Sequence, residues 1–354
     1  MRRVILSSLL GLGMLFAFDG VLFHSGFYNQ FLLPYSSAGM FHMVVKAEQN
    51  RPFDNPNQVL AVGDSRMALR TARASRMGSG FTYGFAGVAG TLPRCWYYLL
   101  REVDPGRNRY AAILLPVDDY SDEDWEVLSD RSTDLRFLIT ALGLGDIWEF
   151  AGSFNQWEHR TQAAMGILLK GIVLKDDVQA LLAAPQQRLA SNAAGQANWF
   201  DAQENYQGTL DDMRGLIVDW RTMRAIYPPR LNAEGRRVVD DFLLHQTTTH
   251  TGKLAAYRRK WFGQIIERYK GSRTKLIFYR IPRGAAIRPD NLLQKQSFTI
   301  PSFRGLPNVI VLEEHLLDEV EKPEYFMDAL HLNAEGCRRL TAIMVAKVRE
   351  VMTK

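Results

Sequence analysis

Cysteine is almost missing from this chain: Cys95 and Cys337 are the only two in 354 residues. They form no CxxC pair, which excludes a disulfide scaffold and a redox motif; spacing alone leaves a single bridge between them open. No Cys/His cluster has zinc spacing, so no metal is expected. There is no Walker loop and no GxGxxG behind a strand, and no soluble cofactor is expected. Charge of one sign is also lacking. Lys and Arg number 43 against 38 Asp and Glu, a net charge of +5. The basic residues are scattered, so no nucleic-acid face is expected. Mild basicity suits anionic glycans or lipid headgroups and equally requires no charged partner.

What is present describes a folded chain. Its length suffices for one large α/β domain or two smaller ones. A hydrophobic content of 47% and a charged content of 23% are ordinary for globular proteins. The N-terminus departs from that average. Met1-Arg2-Arg3 precedes an almost uninterrupted apolar stretch from Val4 to Phe23. About 20 apolar residues span a bilayer, so residues 1–24 are expected to form an uncleaved signal anchor, a transmembrane helix. A cleavable signal peptide is the alternative, but no A-x-A pattern precedes Asp19. Arg2 and Arg3 would stay in the cytoplasm, placing the remainder in the periplasm or outside the cell. Asp19 is costly in hydrocarbon, and is expected near the outer interface or paired with a group on a partner membrane protein.

Residues 25–56 read as an irregular juxtamembrane segment. From residue 57 the pattern changes to short apolar strands alternating with helices: strands at Gln58–Gly63, Phe81–Gly87, Tyr110–Val117, Lys275–Arg280 and Asn308–Leu312. This alternation indicates parallel βαβ units and an α/β domain over residues 57–354. Residues 120–250 break the rhythm. They read as a helical insertion, either a lid or partner surface or simply packing helices. Leu231-Asn-Ala-Glu-Gly235 recurs as Leu332-Asn-Ala-Glu-Gly336, each followed by two arginines. Only the second copy has an Asp-x-x-His upstream, so the echo reads as two similar helix starts rather than a repeated domain.

The chemistry concentrates at strand ends, where ligands of open α/β sheets bind. Gly63-Asp64-Ser65 follows the first strand, and Asp328-Ala-Leu-His331 precedes the final helix. A serine hydroxyl becomes a useful nucleophile only when an imidazole takes its proton and a carboxylate orients that imidazole. Ser65, His331 and Asp328 are the residue types for that task. Among the seven histidines, only His331 has an aspartate at this spacing ahead of a C-terminal helix. Taken singly, each piece also reads as a helix cap or a surface turn. Arg280 and Arg283 follow the fourth strand and are candidates for an anionic sugar or phosphate, or else solvated loop residues. Trp96, Tyr97 and Tyr98 are aromatics that stack on sugars elsewhere, but consecutive helical positions do not share a face.

With these blocks in place the chain resembles the SGNH (GDSL-type) hydrolases. The resemblance rests on Gly63-Asp64-Ser65, on Gly87 within Phe85-Ala-Gly-Val-Ala-Gly90, and on Asp328-Ala-Leu-His331. It covers residues 58–119 and 275–352. It implies a three-layer α/β/α fold with a central, mostly parallel sheet and a Ser-His-Asp triad. The implied oxyanion donors are the amides of Ser65 and Gly87 and an Asn side chain after the third strand. Asp118 stands at that Asn position. An ionised carboxylate cannot donate, so Asp118 is protonated, points away, or is replaced by another donor; losing one donor costs about 2.7–4 kcal/mol. With the N-terminal anchor and helical insertion, the chain looks like the SGNH-like proteins that work beside membrane-bound O-acyltransferases. That likeness implies extracytoplasmic transfer of an acyl group, most simply acetyl, to hydroxyls of an exported polysaccharide or cell-wall polymer. An esterase using water, and a glycan-binding scaffold without catalysis, are the rival expectations.

Overall fold

The computed structural model describes residues 2–53, 55–67, 69–77, 80–118, 131–192, 213–244, 253–287, 289 and 299–353. The chain divides into two compact units, one formed by Met1–Gln49 with Asp130–Trp199, the other by Asn50–Ser129 with Phe200–Lys354.

The larger unit is α/β. Its sheet has five strands, β1 (Gln58–Gly63), β2 (Thr82–Gly87), β3 (Ala112–Val117), β6 (Lys275–Arg280) and β7 (Val309–Val311), in the order β2-β1-β3-β6-β7. All neighbouring pairs are parallel. β1 and β3 are buried along their whole length. That is the state expected of parallel strands covered on both faces, and it explains why they read as continuous apolar runs rather than alternating ones. A short antiparallel hairpin, β4 (Ile217–Asp219) with β5 (Arg224–Ile226), lies outside the sheet. Helices Thr71–Met77 and Pro93–Val103 connect β1 to β2 and β2 to β3, Lys253–Arg268 leads into β6, and Ala334–Met352 closes the chain.

Register matters at one place. β1 pairs with β2 from Gln58 to Gly63, but with β3 only from Val59 to Ala61. Pro116 in β3 has no N–H to give and lies past the last paired residue, Leu114. The chain runs from β1 out to β2 and returns to β3 on the other side of β1, so the carboxyl ends of β1 and β3 flank the topological switch point of the sheet.

The smaller unit is helical: Arg2–Asp19, Ser37–Asn50, Asp134–Leu138, Ile147–Ala151, Trp157–Leu168 and Lys170–Ala183. The segment expected to be irregular thus contains a helix, Ser37–Asn50, whose Phe41, Val44 and Val45 are buried. Among the described residues no helix is long and apolar enough to cross a membrane, so the expected transmembrane helix is not supported. The Arg2–Asp19 helix ends on a charge and continues as a π-helical turn, Gly20–His24. Leu9, Leu12, Met14 and Phe18 on it are exposed. Asp19 is buried, and its carboxylate accepts from the backbone amides of Lys170 (3.1 Å) and Gly171 (2.8 Å). These amides open the Lys170–Ala183 helix, where an anion offsets unsatisfied N–H groups. Asp177 is a second hub, accepting from Tyr28 Oη (2.7 Å), the Leu33 amide (3.1 Å) and Arg188 Nη1 (3.0 Å). Much of the 120–250 stretch, namely 119–130, 193–212 and 245–252, lies outside the described residues.

Candidate active site

Three side chains from opposite ends of the sequence meet at the carboxyl end of the sheet. Ser65 sits on the turn after β1, with its Oγ 2.9 Å from His331 Nε2. His331 Nδ1 lies 2.8 Å from Asp328 Oδ2. Each distance is an ordinary hydrogen bond, and the order hydroxyl, imidazole, carboxylate is that of an activated serine. Ser65 is exposed, while the side chains of His331 and Asp328 are each one-third exposed (33%).

Local chemistry builds each part. At Gly63 a Cβ would stand 2.7 Å from that of Met67 and 3.0 Å from Pro116, so glycine lets the chain turn sharply beneath the serine. The Met67 amide donates to Asp64 O, and the Arg66 amide to Asp64 Oδ1, closing the turn. Tyr279 Oη, buried below, donates to Met67 Sδ at 2.7 Å; burial, aided by the charge of Asp64, pushes its pKa up. On the other side, Asp328 Oδ1 accepts from the amides of Leu330 (2.8 Å) and His331 (2.7 Å). One carboxylate oxygen therefore shapes the turn while the other orients the imidazole. Burial tends to raise the Asp328 pKa, but the hydrogen bonds and charge of His331 outweigh it and hold the group below the usual value. The turn is pinned from β6: Ala285 N donates to Ala329 O (3.0 Å), and Gly284, at φ 146°, leaves no room for a Cβ, which would meet Ala329 O at 2.6 Å. Asn333 then caps the final helix, accepting from the amides of Glu335 and Gly336.

The other expected residues are placed as follows. Gly87 ends β2 in register with Gly63, next to the serine turn. Asp118 is not positioned as a hydrogen-bond donor. Its Oδ2 is 2.8 Å from Arg66 Nη1, and Asp64 Oδ2 is 3.7 Å from Arg66 Nη2. Burial works against charge on Arg66, but Asp118 and Asp64 outweigh it and keep the guanidinium protonated. Arg66 is the residue that sequence reading missed. The available signal was the acid at position 118 itself, whose largely enclosed carboxylate calls for a cation. Arg280 and Arg283 are held within the protein. Their side chains are 3% exposed and paired with protein carboxylates: Arg280 with Glu314 (2.7 Å), Arg283 with Asp318 (2.7 Å) and Glu321 (2.7 Å). Trp96 and Tyr98 are core, at 6% and 1% exposure. Cys95 and Cys337 are both buried and unbridged.

The site can form a covalent ester. Attack by Ser65 Oγ on an acyl carbonyl sends its proton to His331 Nε2, and Asp328 stabilises the resulting imidazolium. No protein-family model matches the chain, and no curated protein matches it.

Proposed function

We propose that the chain is a serine acyltransferase of the SGNH type, acting outside the cytoplasm on hydroxyls of an exported polysaccharide or cell-wall polymer. One observation carries this: Ser65, His331 and Asp328 are aligned at 2.9 and 2.8 Å. In the first half-reaction Ser65 Oγ bonds to the acyl carbon, and His331 returns the proton to the departing group as the acyl–donor bond breaks. In the second, His331 takes a proton from an acceptor hydroxyl, whose oxygen attacks the acyl-serine, and gives it back to Ser65 Oγ as the ester moves to the polymer. The amides of Ser65 and Gly87 are the assigned oxyanion donors. A three-layer α/β/α arrangement, a helical insertion and a membrane-bound O-acyltransferase supplying the acyl group, most simply acetyl, belong to the same reading. So does attachment to a membrane through Arg2–Asp19, whose exposed leucines and phenylalanines favour an apolar environment.

A second reading has its own support. Ser65 is exposed, so water reaches the acyl-enzyme and hydrolysis is the default when no acceptor is bound. The experiment is labelling of the full chain with a fluorophosphonate, followed by adduct mapping. An adduct on Ser65, absent from Ser65→Ala and His331→Ala, is expected; a folded sample that takes no label refutes both enzymatic readings and leaves the scaffold. Replacing Ser65 or His331 should cost about 10⁶-fold in turnover, and replacing Asp328 about 10⁴-fold. Addition of polysaccharide to preformed acyl-enzyme then separates transferase from esterase: faster loss of the acyl group marks transfer.

A further inference from the structure

We propose that Arg283 and Glu321 are positioning residues for His331: together they fix a strap, residues 281–285, that holds the turn bearing the imidazole. The inference rests on the serine reading above and adds to it the residues that keep its base in place. The turn itself is closed locally. Met327 N donates to His331 O (2.9 Å), and Asp328 Oδ1 accepts from the amides of Leu330 and His331. These bonds set the shape of the turn, not its place relative to Ser65, which follows β1. Placement falls to bonds that leave the turn.

The strap supplies one such bond. It continues β6 past Arg280 and is buried throughout. Its alternate amides are tied. Ile281 N donates to Val117 O of β3 (3.2 Å), Arg283 N to Glu321 Oε1 (2.7 Å), and Ala285 N to Ala329 O (3.0 Å), inside the Asp328-Ala-Leu-His331 turn. The two outer ties are backbone to backbone; the central one depends on a side chain. Gly284 stands between the last two, and glycine is the residue that resists bending least. The tie at Arg283 limits that freedom just ahead of the bond to Ala329. Glu321 also grips the side chain: its Oε2 accepts from Arg283 Nε (2.8 Å), while Arg283 Nη2 reaches Asp318 Oδ1 (2.7 Å). Arg283 and Glu321 are both buried, so this charge-assisted pair has little room to rearrange. Both carboxylate oxygens thus accept from N–H groups of one residue. Glutamine has one acceptor oxygen and an NH2 that only donates, so Glu321→Gln gives up one of these bonds.

The test follows capture of Ser65 by a fluorophosphonate in the full chain, above about pH 7 so that Glu321 carries its charge. Capture is measured against probe concentration, which separates the maximal rate from probe binding. Glu321→Gln should lower the maximal rate by about 10- to 100-fold, as a small misplacement of a reacting group does, with the half-saturating concentration unchanged. Glu314→Gln, which weakens the neighbouring pair with Arg280, is the control and should keep the wild-type rate. Circular dichroism checks each fold. If Glu321→Gln does not fold, Asp318→Asn loosens the same arginine at a partly exposed position and should slow capture by a smaller factor. A folded Glu321→Gln, or in its place Asp318→Asn, with the wild-type maximal rate overturns the proposal. So does equal slowing by Glu314→Gln, or a change confined to the half-saturating concentration. Each of these leaves the labelled wild-type Ser65, and with it the serine reading, intact. A wild-type Ser65 that takes no probe fails that reading and the positioning role together.

Discussion

The carboxylate of Asp118 is held by Arg66, the residue after Ser65, at 2.8 Å. The pair makes a prediction that a lone-residue view does not. Arg66→Met strands Asp118 in a largely buried setting and should cost about 3 kcal/mol in urea denaturation. Asp118→Asn leaves Arg66 with only Asp64 at 3.7 Å and should cost less. The double variant should recover part of the loss of Arg66→Met, because the stranded carboxylate is gone. A double variant whose losses simply add would show that the two side chains are not coupled. Glu321 is a second titratable residue with a consequence. Burial pushes its pKa up to about 7, despite the bonds from Arg283. Its folded value lies above its unfolded one, so its contribution is complete at low pH and is lost as pH rises through about 7. Glu321→Gln should therefore flatten the fall in urea midpoint between pH 4.5 and about 7; an unchanged slope would remove Glu321 as its cause. Asp328 has the opposite sign. Its folded pKa is depressed, so its contribution is present above the ordinary carboxylate value and fades in acid.

Elements were legible wherever local chemistry decides them. Five strands stood out as apolar runs, and the sheet has them within one or two residues of the expected bounds. The echo at Asn232 and Asn333 reads correctly as two helix starts: Asn232 accepts from the Gly235 amide, Asn333 from those of Glu335 and Gly336. Asn333→Ala should lower stability by about 1 kcal/mol or somewhat more, read from the denaturation midpoint. The helix that follows the Ser65 turn begins only at Thr71, because a local turn and one long-range bond take the intervening amides. The Arg66 amide goes to Asp64, and the Arg70 amide to Thr341 Oγ1. Gly284 was not legible either, since its role depends on Ala329, far along the chain. Gly284→Ala should push the Ala329 carbonyl away and disturb His331. A clear drop in Ser65 labelling rate with little change in melting is expected; a normal rate would show that the turn yields without moving the imidazole.

At the scale of the whole chain, the sequence announced the triad but not the partition into units. Residues before Asn50 belong with Asp130–Trp199, and no composition shift at Asn50 marks that grouping. It is made by bonds between remote positions, such as Asp19 to the Lys170 and Gly171 amides and Tyr28 to Asp177. Arg283 shows the same dependence: from sequence a loop arginine looks available, and only the fold reveals Glu321 against it. Asp19→Ala should expose the start of the Lys170–Ala183 helix to a loss of about 1–2 kcal/mol; hydrogen exchange at those amides is the check, and unchanged protection would mean that Asp19 holds nothing. The separation of 266 residues between Ser65 and His331 also has a consequence for synthesis. On the proposed serine chemistry, a nascent chain carries an unreactive alcohol at Ser65 until His331 has been made and folded against it. Reactivity then arises late in synthesis, and any product that stops short of His331 stays chemically silent.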